Sequence, residues 1–110
     1  MKMEFVSMSK SDNITKLVNV NKESFDIYIG RENITSGYKR SKWANPFKIG
    51  EDGTRDEVVS KYETWIKTQP ELMNSLYELE GKTLGCWCNS NENCHGKVLL
   101  KLLKFSRFFQ

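Results

Sequence analysis

The chain has 110 residues, of which 38% are apolar, 28% charged and 12% aromatic, and its formal net charge is +3. This length fits one small globular domain with a single core, since a domain of such size buries roughly 65% of its unfolded surface. No apolar run approaches the ~18 residues that a membrane span requires, and the amino terminus has no basic segment followed by an apolar one. We therefore expect a cytoplasmic protein without a membrane partner.

Basic residues are concentrated in two stretches that flank an acidic middle. Residues 31–48 and residues 82–110 each contain five basic residues against one glutamate, whereas residues 51–80 are acidic overall. If the two basic stretches meet in space, they form one positive face suited to phosphate. The alternative is two separately solvated surfaces.

The amino-terminal third is expected to contain two strands and a long loop. Residues 1–15 lack periodicity and are predicted to form a loose segment, which leaves residues 16–110 as a single α/β domain. Lys16–Val20 and Asp26–Ile29 are short, β-branched and apolar, so each is predicted to be a strand. Gly30–Ala44 has no consistent period and is rich in basic and aromatic side chains. Loops of that length in compact domains are usually functional or disordered.

Two helices are predicted in the acidic middle. The first begins after Asp52 or Thr54 as its cap, and its apolar residues recur at intervals of three and four. The second is short, begins at Pro70 and ends near Gly81, because proline favours the first position of a helix and glycine its end.

The last third is predicted to contain a strand over Lys82–Cys88 and a helix from Cys94 or His95 to about Phe105. Strands that alternate with helices predict a small single-domain α/β layer structure, with a partly parallel sheet flanked by about three helices. Phenylalanines near the carboxyl terminus would cover the sheet edge or form a homodimer contact. They are Phe105, Phe108 and Phe109.

Three cysteines and the only histidine lie within ten residues of one another, as Cys86, Cys88, Cys94 and His95. Such clustering favours a reducing compartment and a local chemical role over a disulfide framework. One hypothesis is a pocket at the amino end of the final helix, where unpaired backbone N–H groups bind anions. The helix dipole would favour a nucleophilic thiolate at Cys94, and His95 would be the acid or base, so these two are the candidate catalytic residues.

Two other hypotheses account for the same cluster. Cys86, Cys88 and Cys94 are the preferred kind of ligand for Zn²⁺, and because adjacent Cys94 and His95 are awkward to direct at one ion, three ligands with an open position fit better than a closed site. Alternatively, the cysteines are small buried hydrophobes and His95 caps the helix. We rank the anion pocket first, so zinc is considered but not favoured, and the cofactor is unknown.

A nucleotide-like ligand would need groups for its phosphate and its ring. Arg31, Lys42 and the amino end of the last helix would hold the anion, and Trp43 or Trp87 would contact the ring. Anchoring a long loop is an equally common role for an aromatic residue. The candidate ligand-binding residues are Arg31, Lys42, Trp43, Asn45, Trp87, Gly96 and Lys97.

Several motifs in order resemble a known family. Over about residues 16–103, the chain closely resembles the small bacterial and phage domain of unknown function 4326. The resemblance is carried by Tyr28-Ile29-Gly30-Arg31, the segment from Ser41 to Phe47, Gly85-Cys86-Trp87-Cys88 and Cys94-His95-Gly96. The resemblance implies a compact α/β domain of frequent phage origin, acting in the host cytoplasm, and no established activity. The family commonly has Asp where Lys97 stands.

The function predicted from these residues is binding of a phosphate-bearing, nucleotide-like small molecule. The ligand would lie where the final helix begins, beside the loop Gly30–Ala44, which we call the basic loop. Ligands of open α/β sheets bind at the carboxyl ends of strands. Whether the protein also processes that molecule, and so is an enzyme, is left open. One alternative is a phage counter-defence protein that sequesters a host nucleotide signal. Another is a nucleic-acid-binding module, stabilised by zinc or not.

Overall fold

The computed structural model of the protein describes residues 14–89 and 91–108. The predicted loose segment, residues 1–15, lies outside this part of the chain except for its last two residues. One of these, Thr15, is anchored: its Oγ1 donates to the carbonyl oxygen of Leu79 at 3.1 Å and accepts from the backbone N–H of Gly81 at 3.0 Å. These two hydrogen bonds hold the residue before the first strand against the turn that precedes the last one.

Three short strands form one sheet. They are β1 (Lys16–Asn19), β2 (Ile27–Tyr28) and β3 (Thr83–Cys86), in the spatial order β1-β3-β2. Both pairings are parallel, with Val18 and Tyr28 opposite Gly85 from the two sides. The predicted α/β layer structure is thus confirmed, and the described sheet is parallel throughout.

The helices are α1 (Arg55–Ile66), α2 (Pro70–Asn74) and α3 (His95–Phe108), with a 3-10 turn over Leu76–Leu79. The predicted second helix is thus split into α2 and this turn. No helix within residues 14–89 and 91–108 has the length and apolar character needed to cross a membrane.

Helix α1 begins with a complete capping box. The Thr54 hydroxyl accepts from the backbone N–H of Glu57 at 3.3 Å, and the Glu57 carboxylate accepts from the backbone N–H of Thr54 at 2.8 Å. Asp52, the other predicted cap, instead accepts from the backbone N–H of Lys48 at 2.8 Å. Its carboxylate therefore closes the turn that precedes the helix.

The core lies between the sheet and the helices, and glycines allow two close approaches, one of α3 to β1 and one of the chain before β2 to β3. A Cβ atom on Gly96 of α3 would lie 2.5 Å from Leu17 Cδ1 of β1, and a Cβ on Gly85 of β3 would lie 2.6 Å from the Phe25 ring. Glycine at these positions lets the layers pack. The buried apolar cluster comprises Ile29, Trp43, Val59, Tyr62, Ile66, Leu76, Leu79, Leu84, Cys86, Cys94, Val98, Leu99, Leu102 and Leu103.

Strand ends and a helix start meet at one edge of the sheet. Because the strands are parallel, β2 and β3 both end at this edge, at Tyr28 and Cys86. The chain that follows β3 turns back into α3, whose first residue, His95, lies beside the chain that leaves β2. Open α/β sheets bind their ligands at such an edge.

Candidate functional site

A cavity of about 350 Å³ opens at the carboxyl ends of β2 and β3. This volume lies within the range of sites that hold small molecules. Its lining combines aromatic rings, two guanidinium groups, an imidazole and thiols. Among the lining residues are Tyr28, Arg31, Phe47, Arg55, Trp87 and His95.

The His95 imidazole is held by a hydrogen bond and a ring contact. His95 Nε2 lies 2.8 Å from the carbonyl oxygen of Ile29. Since a carbonyl oxygen only accepts, Nε2 carries the proton and Nδ1 is the basic atom of the neutral ring. The Tyr62 ring packs edge-on against the imidazole, with centroids 5.0 Å apart. Burial lowers the pKa of His95, opposed by the hydrogen bond to Ile29, so the ring is neutral at pH 7.

One wall of the cavity consists of aromatic rings joined by hydrogen bonds. Trp87 Nε1 donates to the Tyr28 hydroxyl at 2.7 Å, and this hydroxyl donates to the carbonyl oxygen of Arg31 at 2.6 Å. The Tyr38 ring stacks on Tyr28, with centroids 4.6 Å apart. These contacts fix the Trp87 ring while 37% of the residue stays exposed.

Arg31 contributes a positive charge to the cavity and also holds part of its lining in place. Its Nε donates to the carbonyl oxygen of Asn45 at 3.2 Å, and its Nη2 donates to that of Phe47 at 2.6 Å. The buried Asn45 side chain in turn donates to the carbonyl oxygen of Val58 at 3.1 Å and accepts from the backbone N–H of Phe47 at 2.9 Å. Arg31 and Asn45 therefore fix residues 45–47 against α1.

Arg55, at the start of α1, is the second guanidinium of the cavity. Its Nη1 lies 3.5 Å from Cys88 Sγ and 3.2 Å from the carbonyl oxygen of Asn93, and its Nη2 lies 3.4 Å from the Glu92 carboxylate. Arg55 thus ties α1 to the loop between β3 and α3, beside the cysteines.

The three cysteines form one cluster of free thiols. The sulfurs of Cys86, Cys88 and Cys94 all lie within 4.8 Å of one another, and Cys86 and Cys94 are separated by 3.5 Å. The backbone N–H of Gly96 donates to Cys94 Sγ at 3.4 Å. The cluster borders the main cavity and also a second cavity of about 270 Å³ beside β1.

Within this cluster the pKa of Cys88 is lowered, whereas that of Cys94, the predicted thiolate, is raised. Hydrogen bonds from Cys86 and Cys94, together with the Arg55 guanidinium, lower the pKa of Cys88. The pKa of Cys94 is raised because its sulfur is hydrogen-bonded to Cys86 and Cys88 and is buried. The neighbouring sulfurs therefore outweigh the helix dipole at Cys94.

Two predicted ligand-binding residues lie away from the cavity. Trp43 is only 2% exposed and belongs to the core, where its carbonyl oxygen accepts from the Tyr62 hydroxyl at 2.7 Å. Lys42 forms an ion pair with Glu78 at 2.8 Å. Neither residue lines either described cavity. Trp43 anchors the basic loop to α1 and lies outside the main cavity.

The two candidates in the first turn of α3 also differ from expectation. Gly96 is buried, and the space in front of it is filled by Leu17, so its small size serves helix packing and does not admit a ligand. Lys97 lines the second cavity. Of the predicted set, the main cavity brings together Arg31, Asn45, Trp87, Cys86, Cys88, Cys94 and His95.

Arg55 and Asn93 line the cavity but were not predicted to do so. For Arg55, the sequence does contain one signal of a functional role. The residue lies in the first turn of a helix, where a positive charge is unfavourable because it opposes the helix dipole. Asn93 carries no such signal, because its loop is rich in asparagine and its position depends on contacts between α1 and the chain before α3.

Comparison with known proteins places the chain in a family. The model of the family described as "Domain of unknown function (DUF4326)" matches residues 13–105. The "Uncharacterized protein R718" of Acanthamoeba polyphaga mimivirus is 38% identical over 91 residues, which cover 74% of this chain and 69% of that protein. No solved structure matches the chain significantly. The extent of the family match shows that this chain belongs to the DUF4326 family.

Proposed function

We propose that the protein binds a phosphate-bearing, nucleotide-like small molecule in the main cavity. The observation that carries this proposal is the joint presence of an aromatic wall and two guanidinium groups in one cavity of about 350 Å³ at the sheet edge. The ligand class follows from this pairing, because a nucleotide combines a flat ring with an anion.

The aromatic wall suits a planar ring. Trp87 is partly exposed, and its hydrogen bond to the Tyr28 hydroxyl holds the indole in place before any ligand arrives. Stacking on a ring that is already fixed costs less conformational entropy, and stacking of one base on an aromatic side chain contributes about 1–3 kcal/mol.

The guanidinium groups suit the phosphate. Arg31 and Arg55 both line the cavity, and a guanidinium has five N–H donors in a geometry that matches phosphate oxygens. Hydrogen bonds to backbone carbonyl oxygens fix the direction of each guanidinium and use only part of its N–H donors. Arg55 Nη2 also lies 3.4 Å from the Glu92 carboxylate, so a phosphate at Arg55 would take the place of that carboxylate.

Processing of the ligand would use His95 as the group that moves a proton. Its Nε2–H is directed at Ile29, so a proton would be accepted at Nδ1, which lies 3.9 Å from Cys94 Sγ. The same cavity without turnover would sequester a nucleotide signal of a host. Recovery of the bound molecule unchanged or altered distinguishes the two.

Direct binding of nucleic acid has less support. Two basic residues of the predicted positive face are paired with carboxylates, Lys42 with Glu78 at 2.8 Å and Lys101 with Glu63 at 2.8 Å. These pairs reduce the positive potential available to a polyanion.

Equilibrium dialysis against nucleoside mono-, di- and triphosphates tests the proposal. We expect saturable binding of at least one nucleotide, weakened about tenfold or more by Trp87→Ala and by Arg55→Gln. Arg40→Gln, which changes an exposed arginine outside the cavity, is the matched control and should bind like the wild type. Equal affinity in all four proteins, or binding of DNA or RNA with steep salt dependence and none of nucleotides, would refute the cavity proposal.

A further inference from the structure

We propose that Cys86, Cys88 and Cys94 bind one zinc ion through their three sulfurs, with the fourth coordination position open towards the main cavity. This site does not depend on the proposed nucleotide-like ligand. Cysteine spacing in the sequence gives zinc little support, whereas the convergence of the three sulfurs in the fold favours it.

The distances fit a tetrahedral ion. Zinc–thiolate bonds of about 2.3 Å at tetrahedral angles place the sulfurs about 3.8 Å apart. Here the Cys86 and Cys94 sulfurs are 3.5 Å apart, and all three lie within 4.8 Å. Small side-chain rotations would therefore bring them around one ion without movement of the backbone.

The ligands are held on rigid parts of the fold. Cys86 is the last residue of the central strand, β3, and Cys94 immediately precedes α3. Both are buried, and Cys88 is half-buried two residues beyond the strand. Zinc binding releases the three thiol protons to solvent, and the shared cation then compensates thiolates that would be costly to hold as separate charges in a largely apolar interior.

The surroundings supply the donors that such a site needs. Three thiolates on a divalent cation leave one net negative charge. The backbone N–H of Gly96 donates to Cys94 Sγ at 3.4 Å, and Arg55 Nη1 donates to Cys88 Sγ at 3.5 Å. Groups that donate to metal ligands orient them and tune the metal. The unusual position of a cation in the first turn of α1 is explained by this role.

The fourth position is left to solvent. Within residues 14–89 and 91–108, the group of His, Cys, Asp and Glu ligand atoms that converge here contains the three sulfurs alone. His95 is adjacent to Cys94 and its Nδ1 lies 3.9 Å from Cys94 Sγ, but neither ring nitrogen lies within 4.8 Å of all three sulfurs. Because all three cysteines border the main cavity, a water molecule there can complete the tetrahedron. Zinc sites with three protein ligands and a water are the exchangeable kind.

Metal analysis of the full chain, purified under reducing conditions without chelator, tests the site. We expect about one zinc ion per chain, and substitution by cobalt should give a thiolate-to-cobalt charge-transfer band and the d–d bands of a tetrahedral ion. Cys88→Ser should weaken cobalt binding more than tenfold while far-UV circular dichroism is retained. His95→Gln should still bind one ion and keep the charge-transfer band.

Three results would overturn the proposal. The first is that a protein whose three thiols titrate as reduced binds less than a tenth of an equivalent of zinc or cobalt. The second is that Cys88→Ser binds cobalt as tightly as the wild type. The third is that His95→Gln loses the ion. If Cys88→Ser fails to fold, Cys88→Ala and Cys94→Ser are measured in its place against the same criteria. Nucleotide binding, measured separately, neither supports nor weakens the metal site.

Discussion

The Nε2 atom of His95 lies 2.8 Å from the carbonyl oxygen of Ile29, 66 residues earlier in the chain. This hydrogen bond joins the first turn of α3 to the chain that leaves β2. It therefore closes one side of the main cavity and sets the tautomer of the only imidazole.

Replacing His95 by alanine should destabilise the fold, because the Ile29 carbonyl loses its donor and Tyr62 loses a ring contact. We expect a loss of about 1–3 kcal/mol in the free energy of unfolding, measured by urea denaturation. His95→Gln retains an N–H donor and should recover part of the loss. An unchanged midpoint in His95→Ala would show that the hydrogen bond does not hold α3.

Tyr62→Phe should cost about 1–2 kcal/mol, since the buried Tyr62 hydroxyl donates to the Trp43 carbonyl oxygen at 2.7 Å. Tyr77→Phe is the matched control, because Tyr77 is 72% exposed and its change should stay within about 0.5 kcal/mol. Thermal unfolding of the two variants side by side measures the difference. Equal melting temperatures would mean that the basic loop is not anchored through this bond.

Gly96→Ala should destabilise the protein although alanine is the better helix former, because its Cβ would lie 2.5 Å from Leu17 Cδ1. Overpacking of this kind costs about 1–3 kcal/mol. A double-mutant cycle with Leu17→Ala checks the cause: the double variant should lose less stability than the two single losses added together. Strict additivity would place the strain elsewhere.

Thr54→Ala should lower stability by about 1 kcal/mol through loss of the α1 cap, as measured by urea denaturation. The result contradicting this role would be a stability equal to that of the wild type. Thr54→Ser is the control: because serine keeps a hydroxyl at the cap position, this variant should retain most of the stability.

The capping box also predicts a pH dependence. Hydrogen bonds from the backbone and hydroxyl of Thr54 lower the pKa of Glu57 from its ordinary value of 4.5. A lowered pKa in the folded state means that the contribution to stability is complete above 4.5 and is lost as the pH falls through the lower, folded value. The stability difference between wild type and Glu57→Gln should therefore shrink in acid. A difference that grows on acidification would contradict the assignment, and Glu51→Gln serves as the exposed control.

Local signals in the sequence predict much of the fold. The Thr54 cap, the apolar period of α1 and the start of α3 at His95 depend on neighbours within a few residues, so composition and spacing identify them. The split of the second helix at Ser75 was not predicted, because the apolar spacing continues across it.

The site depends on contacts that are distant in sequence. Trp43 stands in a segment without periodicity, and its burial follows from Tyr62 on α1, 19 residues away. The lowered pKa of Cys88 depends on two other sulfurs and on Arg55, 33 residues away. Residue types and spacing therefore locate the Cys/His cluster, whereas the roles within it require the fold.

The central claim, that the main cavity binds a phosphate together with a ring, is tested most directly by isothermal titration calorimetry of the wild-type chain. One titration uses a nucleoside monophosphate that binds in dialysis, and the other uses the same nucleoside lacking phosphate. The guanidinium groups and the aromatic wall predict one saturable site for the phosphorylated molecule and at least about tenfold weaker binding of the nucleoside. Equal affinity for the nucleotide and for the nucleoside without phosphate would contradict a cavity built for a phosphate and a ring.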